Sequence, residues 1–224
     1  MKTIVISGTT SGLGFALADF YIKKGWDVIG LARRESSFNA NNYKHIQIDL
    51  TNYDDLYKIL VILKLKKIDV LVHNAASFEN KSLEETDFSQ IDNILSINLI
   101  TPIMLTKLLL LNMSQPSRIF FINSVAGINQ IEKQSIYCAS KHGLTAFAGV
   151  LGKELQQRKI KITSIHPGGL NTPLWNDKQP YPGSDVEKTI NPNEIVKLID
   201  FINDSDSSIE YKTIKLFPDI EWHQ

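Results

Sequence analysis

Apolar residues along this chain recur in two rhythms. Short apolar runs of four to seven residues, at 3–7, 26–32, 45–48, 69–72, 117–122, 161–166 and 213–217, have the length and composition of buried strands. Between them the rhythm changes to a helical one, as in Phe15, Leu17, Ala18, Tyr21 and Ile22, or in Leu56, Ile59, Leu60 and Leu63 within 53–65. Further helices are expected over 135–157 and 193–202, and one long, mostly helical region over 83–98 and 99–113, where Pro102 marks a bend or a fresh first turn. Short buried strands alternating with helices predict an α/β fold: a doubly wound parallel β-sheet with helices on both faces, in a single domain spanning 1–224. Each crossover is then right-handed, and ligands gather at the carboxyl ends of the strands.

Those ends carry the candidate chemistry. The first strand runs into Gly8, Thr9, Thr10, Ser11, Gly12, Leu13 and Gly14, and the first helix opens there. Such a strand, glycine-rich turn and helix can seat a pyrophosphate on backbone N–H groups, or can be only a tight connection. The second strand ends at Ala32 with Arg33 and Arg34 behind it. An acid here would bind an adenosine ribose 2′-OH, whereas arginine would pair with a 2′-phosphate, so this end favours NADP(H) over NAD(H); otherwise both arginines are solvated loop charges. Asp49, beside Leu50, and Asn74, followed by Ala75 and Ala76, close the third and fourth strands. They either meet adenine and backbone or, for Asp49, cap a helix. Ser124 follows the fifth strand, on the ligand side, and Asn98 lies at the joint of the long helical region. On the helix over 135–157, Tyr137 and Lys141 stand four residues apart and so share one face. An ammonium roughly 4 Å from a phenol, at an effective dielectric of about 20, would lower the phenol's pKa by roughly three units, bringing it near neutrality. The sixth strand leads into Pro167, Gly168, Gly169, Leu170, Asn171 and Thr172, and the stretch 174–193, with Trp175 and Tyr181, reads as a lid over a partly apolar substrate or else as an ordinary surface loop.

Composition narrows the choice. Lys plus Arg and Asp plus Glu are 24 each, so no net field draws the chain to nucleic acid or anionic membranes. The one cysteine, Cys138, rules out an internal disulfide framework and fits a reducing, cytoplasmic compartment, with packing as its expected role. The first apolar run is too short for a signal peptide, and 99–113 is broken by Thr101, Pro102, Thr106 and Lys107, so no membrane association is expected. The histidines, His45, His73, His142, His166 and His223, lack metal-ligand spacing, and Ser124 lacks a Gly-x-Ser-x-Gly elbow, which argues against a metal site and a serine hydrolase.

From Thr3 to about Thr172 the ordered pattern resembles the short-chain dehydrogenase/reductase family. Ser7, Gly8, Gly12 and Gly14 resemble its cofactor glycine motif, with Ser7 in place of the usual Thr. Asp49 and Leu50 resemble its adenine-contacting pair. His73, Asn74, Ala75 and Ala76 resemble its Asn-Asn-Ala-Gly, with the first and last residues changed. Asn98, Ser124, Tyr137 and Lys141 fall where the family keeps its catalytic tetrad, and Pro167, Gly168 and Thr172 match the segment that holds the nicotinamide carboxamide.

The resemblance implies a Rossmann-type oxidoreductase moving hydride between a nicotinamide cofactor and a small carbonyl or alcohol substrate, with the preference for NADP(H) resting on Arg33 and Arg34. In it Ser124 binds the carbonyl oxygen, Tyr137 exchanges its proton, Lys141 holds Tyr137 acidic and binds the nicotinamide ribose, and Asn98 braces Lys141 through an ordered water. It also implies a homodimer through the helices at 98–113 and 137–157, with a tetramer put in doubt by a tail that lacks the family's usual ending. Ala76 in place of glycine adds a side chain near the cofactor, and Ser11 stands where many NADP-preferring relatives carry a second basic residue. A non-catalytic NADP(H)-binding sensor is the competing reading. An epimerase or dehydratase is disfavoured by the 52 residues after Thr172 (224 minus 172).

Overall fold

The computed structural model describes residues 1–63, 66–175, 181 and 185–221. Its strands are β1 (Thr3–Ser7), β2 (Asp27–Ala32), β3 (Tyr43–Gln47), β4 (Ile68–His73), β5 (Met113–Ile122), β6 (Ile160–Pro167) and β7 (Thr213–Leu216). They form one seven-stranded sheet in the order β3-β2-β1-β4-β5-β6-β7, and every neighbouring pair is parallel. The helices are α1 (Gly12–Lys23), α2 (Tyr53–Leu63), α3 (Phe88–Leu95), α4 (Thr101–Leu109), α5 (Ser135–Glu154) and α6 (Pro192–Asp204).

The period of two along each strand divides the core between the faces. Ile4, Ile6, Val28, Val72 and Phe120 meet Leu17, Tyr21, Ile195 and Ile199 of α1 and α6. Val5, Ile29, Leu71 and Phe121 meet Leu56, Ile59, Leu105, Leu144 and Leu151 of α2, α4 and α5. A strand buried on both sides must be apolar throughout, which is why β1 and β4 show no alternation in the sequence. Each fully buried Phe or Leu contributes about 1.5–3 kcal/mol relative to exposure.

Local chemistry sets the ends of the elements. Asn191 accepts the Asn193 N–H at 2.9 Å and Pro192 takes the first helical position of α6, where its missing N–H is no loss. The long helical region has an unexpected joint: Ser96–Ile100 is a single π-helical turn between α3 and α4, with Asn98 on it. Its whole run, Phe88–Asn112, is 25 residues and passes by length and composition as a membrane span, longer than the interrupted stretch 99–113 suggested. In the fold Leu105 and Leu109 lie in the core, and the Thr101 hydroxyl donates to the Leu50 carbonyl at 2.7 Å.

The sheet order reverses between β1 and β4, so the loops after these strands part and leave a crevice at their carboxyl ends. Ser7 stitches the floor of that crevice. Its hydroxyl accepts the N–H groups of Asn74 (2.9 Å) and Ala75 (3.0 Å). Behind it His73 is fully buried, stacked on Phe121 and bonded to the Thr106 hydroxyl at 2.8 Å, and burial pushes its pKa down to about 3, so the ring is neutral.

Candidate active site

One cavity of about 660 Å³ occupies the crevice, within the range of small-molecule and cofactor sites. At one end its lining comprises Gly8, Thr10, Ser11, Gly12 and Leu13 from the first loop, Arg33 and Arg34 after β2, and Asp49 and Leu50 after β3. Asn74, Ala75 and Ala76 lie midway, and Ser124, Tyr137, Lys141, Pro167, Gly168 and Thr172 line the rest. Of the residues singled out in the sequence, Gly14 and Asn98 stand behind the wall instead.

Gly12 takes φ +55° at the start of α1, a left-handed turn that a side chain would strain. Gly14 is required for a different reason. A Cβ there would collide with the Gly8 carbonyl and lie 2.5 Å from Asn74 Nδ2, whose own bonds to the carbonyls of Ser7 (2.9 Å) and Gly8 (3.2 Å) lock the loop to β4. The two arginines differ. Arg34 donates to the hydroxyls of Ser11 (2.8 Å) and Thr10 (3.3 Å), whereas Arg33 is mostly exposed and reaches Asp49 at 4.0 Å. Asp49 acts as a cap: it accepts the Thr51 N–H (2.9 Å) and hydroxyl (2.8 Å). Partial burial would raise its pKa, but those bonds and Arg33 outweigh it, and the carboxyl is held below its ordinary value.

At the other end, α5 presents Tyr137, Lys141, Leu144, Ala148 and Leu151 as one buried stripe, as the spacing predicted. The expected acidification of Tyr137 is corrected. Burial pushes the phenol up to about 12, against the opposing hydrogen bond of Ser124, because the ring sits in an apolar cluster with Phe78, Ala126 and Cys138. Lys141 Nζ lies 5.7 Å from the Tyr137 ring centroid, over the ring, and donates to the Ile122 carbonyl at 3.1 Å. It too is buried, which pulls its pKa down to about 8. Cys138 packs in the same cluster, as the small-residue reading held.

Ser124 is gripped by a ring of hydrogen bonds. Its N–H donates to Asn123 Oδ1 (3.0 Å), and its carbonyl accepts from His166 Nδ1 (3.0 Å). The ring closes through Ser164: Asn123 Nδ2 donates to Ser164 Oγ (3.4 Å), and the Ser164 hydroxyl donates to His166 Nε2 (2.9 Å). This assignment fixes His166 as the neutral Nδ1–H tautomer, in accord with burial pulling its pKa down. Asn123 also donates to the Lys141 carbonyl (3.3 Å) and the Thr145 hydroxyl (2.9 Å), tying the β5 end to α5. Ser124 Oγ accepts from the Ala126 N–H at 3.1 Å, while its hydroxyl hydrogen-bonds the Tyr137 phenol.

Asn98 is 1% exposed. Its side chain pairs with the Ser77 N–H and carbonyl, both at 2.8 Å, and with the Ser140 hydroxyl at 3.1 Å, the residue before Lys141. It therefore braces the β4 loop and α5 together.

Sequence reasoning missed Phe78, His166 and Glu221. Phe78 stands edge-on to Tyr137 (4.9 Å between centroids) and to Trp175 (5.0 Å), building an apolar wall. His166 was discounted with the other histidines for lack of metal spacing; its place next to Pro167 at a strand end was the available signal. Glu221 lines the cavity from the end of the chain, 52 residues beyond its partner Gly169, and no local pattern announces it. Of the lid stretch, 176–180 and 182–184 lie outside the described residues.

Known proteins share this architecture. The family model for short chain dehydrogenases matches residues 2–182. Farnesol dehydrogenase of Aedes aegypti is 31% identical over 193 residues, covering 77% of this chain and 79% of its own. Among solved structures, a short chain dehydrogenase family protein from Francisella tularensis superposes with a TM-score of 0.88 at 23% identity, covering 99% of both chains. A 4-hydroxyisoleucine dehydrogenase complexed with NADH gives 0.83 at 24% identity, covering 100% of both.

Proposed function

The chain belongs to the short-chain dehydrogenase family and is an oxidoreductase that uses a nicotinamide cofactor on a small molecule; on that premise we propose that it is an NADP(H)-preferring carbonyl reductase or alcohol dehydrogenase working through Ser124, Tyr137 and Lys141. The observation that carries this reading is the single cavity that has Arg33 and Arg34 at one end and Ser124, Tyr137, Lys141 and an aromatic wall at the other. The lining fits a dinucleotide: hydroxyls of Thr10 and Ser11 beside Arg34 suit a ribose 2′-phosphate, and the loop at Gly12 offers N–H groups to a pyrophosphate. The bound cofactor supplies or accepts the hydride. Ser124 hydrogen-bonds the substrate oxygen through its hydroxyl, and Tyr137 hands that oxygen a proton as charge develops on it. Lys141, its ammonium beside the Tyr137 ring, would supply positive charge to the site and would hold the cofactor's ribose. Asn98 keeps α5 and the β4 loop in register. The substrate is partly apolar, as the Phe78, Trp175 and Tyr137 wall suggests, and the protein acts as a cytoplasmic homodimer through the outer faces of α4 and α5.

The test is a panel of carbonyls and alcohols followed by nicotinamide absorbance with both cofactors. NADPH-dependent reduction is expected. Tight cofactor binding without turnover of any panel member would overturn the reading in favour of a sensor. Replacing both arginines, Arg33→Ala with Arg34→Ala, is expected to reduce the NADPH over NADH preference in kcat/KM by about tenfold to a hundredfold, since hydrogen bonds to a charged group contribute about 1.5–3 kcal/mol. An unchanged ratio would place the preference elsewhere.

His166 gives a second expectation. His166→Phe deletes both of its bonds in the ring around Ser124, so kcat is expected to fall about tenfold to a hundredfold. Cofactor affinity, measured by fluorescence titration, should stay within about twofold because the ring does not touch the Arg33 and Arg34 end. Equal losses in both would mean that His166 serves the fold as a whole.

A further inference from the structure

Gly168 and Gly169 have no positive φ to explain them. What they provide is room for two side chains from far away in sequence. A Cβ on Gly168 would collide with Glu221 Oε2, and one on Gly169 would lie 2.7 Å from the Tyr181 ring. Into that room the Glu221 carboxylate descends. It accepts the Gly169 N–H on both oxygens, at 3.0 and 3.2 Å, and the Tyr181 hydroxyl donates to Oε1. Tyr181 then stands edge-on to Trp175 at 5.0 Å between centroids, and Trp175 is pinned by its indole N–H on the Leu170 carbonyl at 2.8 Å. Phe78 completes the series to Tyr137. One carboxylate thus joins the β6 loop, Tyr181 and the aromatic wall beside Tyr137.

We propose that Glu221 is the positioning residue for the substrate wall, holding Tyr181 and, through it, Trp175 and Phe78 in place over Tyr137, and so setting the size of apolar substrate accepted. This rests on the reading of the cavity as a carbonyl site. Glu221 is 7% exposed, and burial raises its pKa against the Gly169 bond that lowers it, so it is placed at a cost to folding rather than as a stabilising ion pair. Neither arginine of the cavity is among its partners; its bonds go to the two groups it would position.

The experiment uses the full chain and three variants. Glu221→Ala is expected to raise KM for a bulky aromatic ketone about tenfold while leaving KM for acetone within about twofold. Tyr181→Phe removes only the hydroxyl bond and should show the same selective rise in weaker form. Glu221→Gln keeps an acceptor for both donors and should restore most of the bulky-substrate KM. In the cofactor-free protein, amide hydrogen exchange at Gly169 should accelerate in Glu221→Ala and return toward the parent rate in Glu221→Gln. Unchanged exchange at Gly169, or equal KM increases for acetone and the bulky ketone, would overturn the proposal. Should the parent protein reduce no carbonyl at all, the functional reading fails while the exchange measurement still decides whether Glu221 holds the loop.

Discussion

Tyr137→Phe is expected to lower the rate of carbonyl reduction by about three orders of magnitude while leaving NADPH affinity within about twofold. The substitution is well suited to the question because the ring, 8% exposed, is held by packing against Phe78 and Ala126, and phenylalanine fills the same space. On the proposed mechanism, what disappears is the proton that reaches the substrate oxygen as negative charge grows there. Ser124 cannot replace it, since a serine hydroxyl hydrogen-bonds that oxygen without giving up its proton. The buried phenol, pushed up to about 12, adds a pH signature. Reduction needs the protonated form, which is present at all ordinary pH, whereas alcohol oxidation needs the phenolate. The oxidation rate should therefore rise with pH across the alkaline range while reduction stays flat until the phenol titrates. Turnover by Tyr137→Phe within tenfold of the parent would remove Tyr137 from the mechanism.

Lys141→Met should move activity and stability in opposite directions. Lys141 is 2% exposed and burial brings its pKa down from 10.5 to about 8, so the native state binds its proton less firmly than the unfolded chain does. Below pH 8 the ammonium is charged in both states and its full burial cost is felt, roughly 3 kcal/mol for a shift of this size. As pH rises from 8 toward 10.5 that cost is relieved. Methionine fills the same volume without charge. The cofactor-free variant is therefore expected to melt several degrees higher at pH 7, with the gap closing above pH 10, while turnover falls about a hundredfold or more. A lower melting temperature at pH 7 would show that the bond to Ile122 outweighs the buried charge.

How far the sequence spoke for the structure depended on distance along the chain. The strands announced themselves because a sheet covered on both faces demands unbroken apolar runs, and Tyr137 with Lys141 because a helix puts residues four apart on one face. The sign of the Tyr137 shift was beyond reach. It is decided by Phe78 and Ala126, which arrive from other elements and dry the phenol, while Lys141 turns its ammonium to the Ile122 carbonyl. Glu221 was hidden for the same reason, its role existing only once β7 brings the tail beside the β6 loop. Pro102 marked the joint near Asn98 correctly, but proline signals only a break in hydrogen bonding, not the wider turn found there.

That wider turn works like a dislocation in a screw thread. Over Ser96–Ile100 the Thr101 N–H reaches back five residues to the Ser96 carbonyl, so one more residue is wound in than an α-helix would hold. The thread on either side is out of phase, which lets α3 lie against α5 while α4 turns its stripe toward α2. Asn98 sits on the widened turn, and Tyr53 at Ser96 and Leu50 at Thr101 hold the turn from both ends. Removing a single residue from it would restore a perfect α-helix and swing Asn98 about 100° away from Ser77 and Ser140. In the most regular-looking helical run of the chain, the position of Asn98 thus depends on the exact residue count.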